Sequence, residues 1–521
     1  MKKICKKLFI FLIGLILILN VNATSNKIYI DIEKNQISKD NKKYENITIY
    51  ESLDKFLKDY NSNKLPEVYL TNFLFDGVST VKTPDLDDFI ESNSNDMKIK
   101  TLKINVLNIN MTGDIELTGE VKNFMIAVNT NDIKGSINII LNNVSIDTDS
   151  KKVPAIYVYN KDINYTDATV TIKTKANTKN YIEGGKFKKV SLMPSDELDK
   201  YKTYYSGDAL ANFEKYSSYY GIYTKDELDD ILFATVKADY EDLKDGDPYL
   251  FYKGAGAISS DIDLYFEGEG YLKVTSKNKE GIETKGNLIF SGSTGDYEIY
   301  AYDDCLNTTT SNGRNDLIID VNSLLAIVND EGDEGDAIDS NGTLTINGGK
   351  IYAFAHSSSS DSGLDSENGT YINGGTIIAT GNMSDMISNE SKQKYIYVNL
   401  NSKIKSNTLI VIKDQDDNII TAFRTNKDMS TLFYSSDNLN YESFKIYSGG
   451  NIEGKEENGL YYDIESYNGG VEINYNDVSF NKINFKNESN NFILNLLIVE
   501  IITLIIVIIY AYYLYKKNIT N

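Results

Sequence analysis

The sequence predicts an all-β protein, a parallel β-helix wound from coils of about 24 residues. Three observations predict it. A pair made of a small residue and Ile or Leu recurs along the chain, an apolar residue and a glycine follow that pair at fixed distances, and the intervening strands are too short to enclose a core alone.

The recurring pair occurs as Ala257-Ile258, Gly281-Ile282, Cys305-Leu306, Ala337-Ile338 and Gly363-Leu364, spaced by 24, 24, 32 and 26 residues. Nine residues after the small residue stand Phe266, Phe290, Ile346 and Ile372. Eleven after it stand Gly268, Gly292, Gly348 and Gly374. The third unit keeps the pattern only with an insertion near Thr310 to Arg314. Each unit alternates apolar and polar residues, as in Thr343-Leu344-Thr345-Ile346, so one face of each short strand is buried. Glycine at a constant offset suits a bend where positive φ is cheap. Such units form a core only by stacking, each coil hydrogen-bonding the next at ~4.8 Å.

The pattern weakens outside 257–386 without ending. Ile115-Glu116-Leu117, Ile137 to Leu141 and Ala155 to Val158 read as earlier coils. Residues 186–250 break the period with helical spacing: Thr224 and Glu227 form a capping box ahead of Leu228, Ile231, Leu232 and Val236. Ser52 to Tyr60 is an amphipathic stretch suited to covering an open solenoid end. The organisation expected is therefore a signal over 1–23, an N-terminal cap region over 24–100, and a β-helix over 101–405 with the helical insertion at 186–250. A C-terminal β unit and stalk follow over 406–491, then a transmembrane helix over 492–515 and a tail over 516–521.

The two ends carry the localisation. Lys2, Lys3, Lys6 and Lys7 precede the apolar run Leu8 to Leu19 and the compact residues Val21-Asn22-Ala23, the layout of a cleaved secretory signal. Phe492 to Tyr515 is apolar apart from Asn495, Glu500 and Thr503, and Lys516-Lys517 follow at once. Charge beside the run marks that end as cytoplasmic. The expectation is a single-pass cell-membrane protein with its bulk outside.

Composition narrows the function. The net charge of −22 over 521 residues argues against nucleic acid and anionic lipid and suits cations. Cys5 leaves with the signal, so Cys305 is the one mature cysteine and no internal disulfide forms. His356, the single histidine, excludes His-rich zinc sites and lies in a serine loop. There is no Trp, but 39 Tyr and 20 Phe are present, among them Tyr297, Tyr300, Tyr302 and Tyr352 as candidates for stacking on sugar rings.

Stacked coils place equivalent residues side by side. Before the recurring pair lie Glu280, Asp304, Asp336 and, in the next unit, Ser362 beside Asp361; two residues after the small residue lie Glu283, Asn307, Asp339 and Asp365. Carboxylates ~5 Å apart repel by about 1–3 kcal/mol per pair at effective dielectric constants of 80 to 20. Ca²⁺, which accepts six to eight oxygens in flexible geometry, relieves that repulsion. The alternative is a solvated acidic edge.

Ala155-Ile-Tyr-Val, Thr178-Lys-Asn, Ala257-Ile-Ser-Ser, Gly281-Ile-Glu-Thr and Asp336-Ala-Ile-Asp-Ser-Asn-Gly-x-Leu-x-Ile-x-Gly-Gly resemble extracellular carbohydrate-binding β-helix proteins, over roughly 105–440 and most strongly over 255–381. That family also resembles β-helical pectate lyases. The resemblance implies a right-handed parallel β-helix, bound calcium, and binding of acidic or cellulosic polysaccharide. Its acidic turns correspond here to Asp303, Asp304, Asp336, Asp339 and Asp365. Asn307 and Ser362 stand where acids are expected and Cys305 where glycine is usual, so fewer ions are implied.

A lyase needs a base to remove the proton α to a calcium-bound carboxylate. Lys285, Arg314 and Arg424 are the candidates, none placed by the sequence. The reading is therefore a non-catalytic, calcium-binding, membrane-anchored module for polysaccharide. The alternatives are a calcium-dependent lyase and an adhesin for protein.

Overall fold

The computed structural model of the chain describes residues 27–73, 104–185 and 256–480, with short breaks at 41, 150–152, 161–166, 278, 310–312, 314, 440–442 and 458. The expected signal, the 186–250 insertion and the 492–515 helix lie outside these residues, as does Arg314.

Alternating apolar residues make strands with one buried face, and those faces stack in register. Ile126, Ile156, Ile258, Ile282, Leu306 and Ile338 are successive partners on parallel strands, and all are fully buried. Ile139, Ile172, Phe266, Phe290, Ile319, Ile346 and Ile372 form a second such column. Within it the rings of Phe266 and Phe290 stack with centroids 4.7 Å apart. Burying each such side chain contributes about 1.5–3 kcal/mol, so the columns are the main source of cohesion. Both belong to one continuous hydrophobic core.

Among the described residues the strands fall into sheets of 18, 10 and 6. The 10-stranded sheet runs from Thr48–Tyr50 to Asp365–Ser366 and is parallel except where Val68–Thr71 meets Asn105–Ile109. In the 18-stranded sheet, Gly135–Asp147 and Leu317–Val328 are long enough, at 13 and 12 residues, to pair with two neighbours each on the same side. Ala168–Thr174, Leu264–Gly268 and Leu288–Phe290 connect them along one path. Lys179–Gly184, Tyr271–Ser276 and Asp296–Ala301 connect them along the other. The hydrogen bonding thus closes a ring of eight parallel strands, the connectivity of a barrel.

That closure corrects the expected right-handed parallel β-helix. The physical reason is strand length: two strands that each serve two ladders join what short, separate strands would leave apart. The parallel order also stops early. Thr376–Gly381 pairs antiparallel with Met429–Ser435, which pairs antiparallel with Tyr395–Ile404, and the six-stranded sheet from Leu409–Asp414 to Val471–Glu472 is antiparallel throughout. No helix among the described residues is long and apolar enough to cross a membrane.

The one α-helix described, Leu53–Tyr60, begins after Ser52 with Asp54 in its first turn and Lys58 in its last, both favourable to the helix dipole. It buries Phe56 against Tyr50, Tyr69 and Phe73 beside the strands Thr48–Tyr50 and Val68–Thr71, at one end of the 10-stranded sheet.

Small residues recur because the turn has no room. A Cβ at Gly281 would stand 2.4 Å from Ile299 Cγ2 and 2.5 Å from the Cys305 carbonyl oxygen. The bend glycines behave as expected at Gly268 and Gly292, with φ of 114° and 102°. In the later units the positive φ moves one residue on, to Gly349 and Gly375, where a register shift after Ile319 admits the extra residue.

Candidate functional site

The parallel register brings the predicted acids together. Ser259, Glu283, Asn307, Asp339 and Asp365 are successive cross-strand partners on the 10-stranded sheet. The turns before them stack as well, through the backbone carbonyls of Glu280, Asp304, Asp336 and Ser362, which accept from Ala257, Gly281, Cys305 and Ala337 at 2.8–3.2 Å.

Carboxylates also tie the turns together. Asp304 Oδ1 accepts the Asp336 backbone N–H at 2.8 Å, Asp336 Oδ1 accepts that of Ser362, and Asp361 Oδ2 accepts that of Gly335 at 2.7 Å. Asn307 Nδ2 donates to Asp304 Oδ2 and, at 3.1 Å, to Asp339 Oδ2. Two buried oxygens in this region have no hydrogen-bond partner among the described residues, Glu280 Oε2 and Asn307 Oδ1.

Burial, reinforced by neighbouring carboxylates, raises the proton affinity of the column. Glu280 and Asp336 are pushed up to about 8, Asp339 to about 7 and Asp365 to about 6, while Asp304 goes well above the ordinary carboxylate range. Two of the predicted acids have partners of their own. Asp303 is ion-paired with Lys279, and Glu283 accepts from the Gly256 N–H at 3.2 Å and the Ser259 hydroxyl at 3.3 Å. Sequence reasoning missed Asp385, which accepts from the Ser366 N–H at 3.0 Å and raises Asp365 electrostatically. It lies at the end of the 257–386 stretch, before Met386-Ile387, where the small residue of the recurring pair is missing, so no periodic signal marks it. Among the described residues no three His, Cys, Asp or Glu side chains converge as a ready metal cage.

The lyase candidates are engaged elsewhere. Lys285 is ion-paired with buried Asp261, which also accepts from the Tyr157 hydroxyl at 2.9 Å and the Asn160 N–H at 3.3 Å. Burial works against the Lys285 charge, but Asp261 outweighs it and holds the ammonium above its ordinary value, opposite to what a base needs. Arg424 donates to the Tyr461 hydroxyl at 2.9 Å. His356 is a buried loop residue whose Nδ1 meets Ser359 Oγ at 2.8 Å.

A second concave region lies on the outer face of Lys179–Gly184, Tyr271–Ser276 and Asp296–Ala301, where residues of the C-terminal antiparallel part form a rim. One cleft of about 390 Å³ is lined by Tyr300, Tyr302, Glu183, Lys277 and Lys427 among others. Another of about 230 Å³ is lined by Tyr271, Asp296, Glu298, Lys350 and Glu457 among others. Burial, reinforced by the nearby Glu298 carboxylate, pushes the hydroxyls of both Tyr271 and Tyr300 up. Lys273 sits 4.4 Å above the Tyr300 ring, and Tyr181, 43% exposed, meets Tyr271 at 6.1 Å between centroids.

Of the tyrosines singled out in the sequence, Tyr300 and Tyr302 line a cleft. Tyr297 and Tyr352 border the other cleft but are buried, Tyr297 packed edge-on at 5.0 Å against Phe290 and Tyr352 against Leu325 and the C-terminal strands. Tyr181 and Tyr271 were missed. The alternation Tyr271-Leu272-Lys273-Val274 already marked Tyr271 as facing away from the core.

Residues 223–438 match a family model described as Carbohydrate-binding domain-containing protein, and this stretch of the chain is similar to that family. The matched residues include the acidic turns and most of the tyrosine face. No curated protein and no solved structure matches the chain.

Proposed function

We propose that this chain is a polysaccharide-binding module that works outside the cytoplasm, without catalysis, and takes up calcium along its acidic turns. The observation that carries the reading is the match of residues 223–438 to carbohydrate-binding proteins. The signal-like N-terminal residues favour export. The engagement of Lys285 by Asp261 favours binding over lyase chemistry, since a protonated, ion-paired ammonium accepts no proton.

Calcium fits the donor set of the turns. Hard carboxylate and amide oxygens suit it, the orphaned Glu280 and Asn307 oxygens offer two ligands, and Asp304, Asp336 and Asp339 supply charge. A bound cation would supply neutralisation of acids that burial otherwise disfavours as anions. The side chains would draw together on binding, since they form no closed cage beforehand.

A glycan array probed with the purified protein, with calcium and with chelator, tests the reading. Retention on polysaccharide without release of unsaturated products supports it. Absence of binding to every glycan, or calcium-dependent cleavage of a uronate polymer, overturns it.

A further inference from the structure

We infer that the glycan lies on the tyrosine face formed by Tyr181, Tyr271, Tyr300 and Tyr302, away from the acidic turns, and that its preferred occupant is an uncharged, extended hexose polymer. The inference rests on the polysaccharide-binding reading and adds where, and to which class of sugar, the chain binds.

The face is built for flat, partly apolar rings. Tyrosine presents a large surface at low entropic cost and keeps a polar tip, and three of these rings lie on adjacent parallel strands. Tyr271 packs against Tyr181, and Tyr300 lies under the Lys273 ammonium, so the rings have neighbours that hold them before a ligand arrives. Lys273, on the strand between Tyr181 and Glu298, lies over Tyr300, and among the described residues it has no carboxylate within ion-pair distance. It is an amine donor left over for a sugar hydroxyl. The clefts on either side of the Lys273–Glu298 pair give a chain somewhere to run on.

Charge selects the class. Lys277 is taken by Asp147 at 2.7 Å and Glu183 at 3.1 Å, and Lys427 by Asp330 at 3.0 Å. Lys350 lies 3.9 Å from Glu457. Glu298 and Asp296 remain on the floor beside Lys273 and Lys179, so the face holds no excess of cations to draw a polyuronate. Neutral hydroxyls instead find both donors and acceptors. The acidic turns lie on strands of the other, 10-stranded sheet, so binding here needs no calcium.

The test uses the full chain on insoluble cellulose, in affinity gels of a soluble neutral β-glucan, and in gels of polygalacturonate, each with and without chelator. The expected result is retention on the neutral polymers that chelator leaves unchanged. The double variant Tyr181→Ala/Tyr271→Ala should weaken that retention at least tenfold, and Lys273→Ala by a few-fold. Thermal melts of the variants report whether they fold, and Tyr271→Phe, which keeps the ring, should retain most binding. Unchanged retention in the folded double variant, or retention on polygalacturonate alone that chelator abolishes, overturns this placement while leaving a polysaccharide module. Failure of the wild type on every polymer overturns the broader reading and this one with it.

Discussion

Asp304 and Asp336 occupy the same turn position in neighbouring parts of the parallel stack, and the carboxylate of the first accepts the backbone N–H of the second at 2.8 Å. The arrangement recurs from Asp336 to Ser362. Each acid thereby satisfies a backbone donor that a turn would otherwise leave unpaired. The burial that makes this useful also makes the negative charge expensive.

A pH dependence follows. Glu280, Asp336, Asp339 and Asp365 have folded-state values raised to between about 6 and 8, above the ordinary carboxylate range. Between that range and pH 8 the folded chain therefore holds more protons than the unfolded one, and stability falls as pH rises. Glu116 and Asp147, which lysines hold low, contribute fully above the ordinary range and lose their effect only in acid. With chelator present, the thermal midpoint should be lower at pH 8 than at pH 5. A midpoint that climbs across this interval would refute the assignment.

The turn at Gly281 should reject any side chain. An alanine Cβ there would press on Ile299 Cγ2 and on the backbone carbonyl of Cys305, neither of them a flexible chain end. Overpacking of this kind costs about 1–3 kcal/mol. Gly281→Ala should lower the urea midpoint accordingly, whereas Gly313→Ala, in open space, should cost only its backbone strain at φ 75°.

Asp261 is the hub of a buried polar group comprising Tyr157, Lys285 and the Asn160 N–H. Asp261→Asn removes the partner of a buried ammonium, and breaking such a pair costs about 3–5 kcal/mol. Glycan retention by the fraction that still folds should be unchanged. Loss of retention without loss of stability would place this group in the binding site.

At the N-terminal end of the described structure, Phe56→Ala should cost about 3–5 kcal/mol, since the ring fills a small aromatic cluster with Tyr50, Tyr69 and Phe73. Because that cluster is separate from the main core, amide exchange should quicken over Thr48–Thr71 well before Leu264–Phe290 responds.

Much of this was legible in the residues. The offsets of Phe266, Phe290, Ile346 and Ile372 placed them in one buried column because parallel strands repeat the chain at fixed intervals. The same offsets aligned Glu283, Asn307, Asp339 and Asp365. What escaped was whatever periodicity does not encode. Nothing in the spacing says that Gly135–Asp147 runs on for 13 residues and serves two ladders, closing the ring. Nor does it say that Lys285 turns to Asp261, 24 residues back in sequence, rather than to a substrate. Tyr297 and Tyr300 look alike in sequence, yet the alternation within Asp296–Ala301 sends the first into the core and the second outward.

Calcium gives the most discriminating prediction. If it binds the turns around Glu280, Asp304, Asp336 and Asp339, it binds the folded chain alone, because those oxygens come together only through the parallel register. At ~100-fold excess over Kd, one independent site then adds ~2.7 kcal/mol. The gain should be local, since strands in such ladders feel mainly their immediate neighbours. Chelator should therefore speed amide exchange over Ile282–Ser340 first and leave Asn105–Tyr159 protected. Asp336→Asn should reproduce part of the loss in calcium and part of the relief in its absence. It removes a charge that burial disfavours while keeping one oxygen to accept the Ser362 N–H. Opposite signs with and without the ion distinguish a cation site from an acidic edge, in which the substitution would stabilise under both conditions. Calorimetry that detects no calcium uptake, together with exchange indifferent to chelator, would leave the acids as structural acceptors alone.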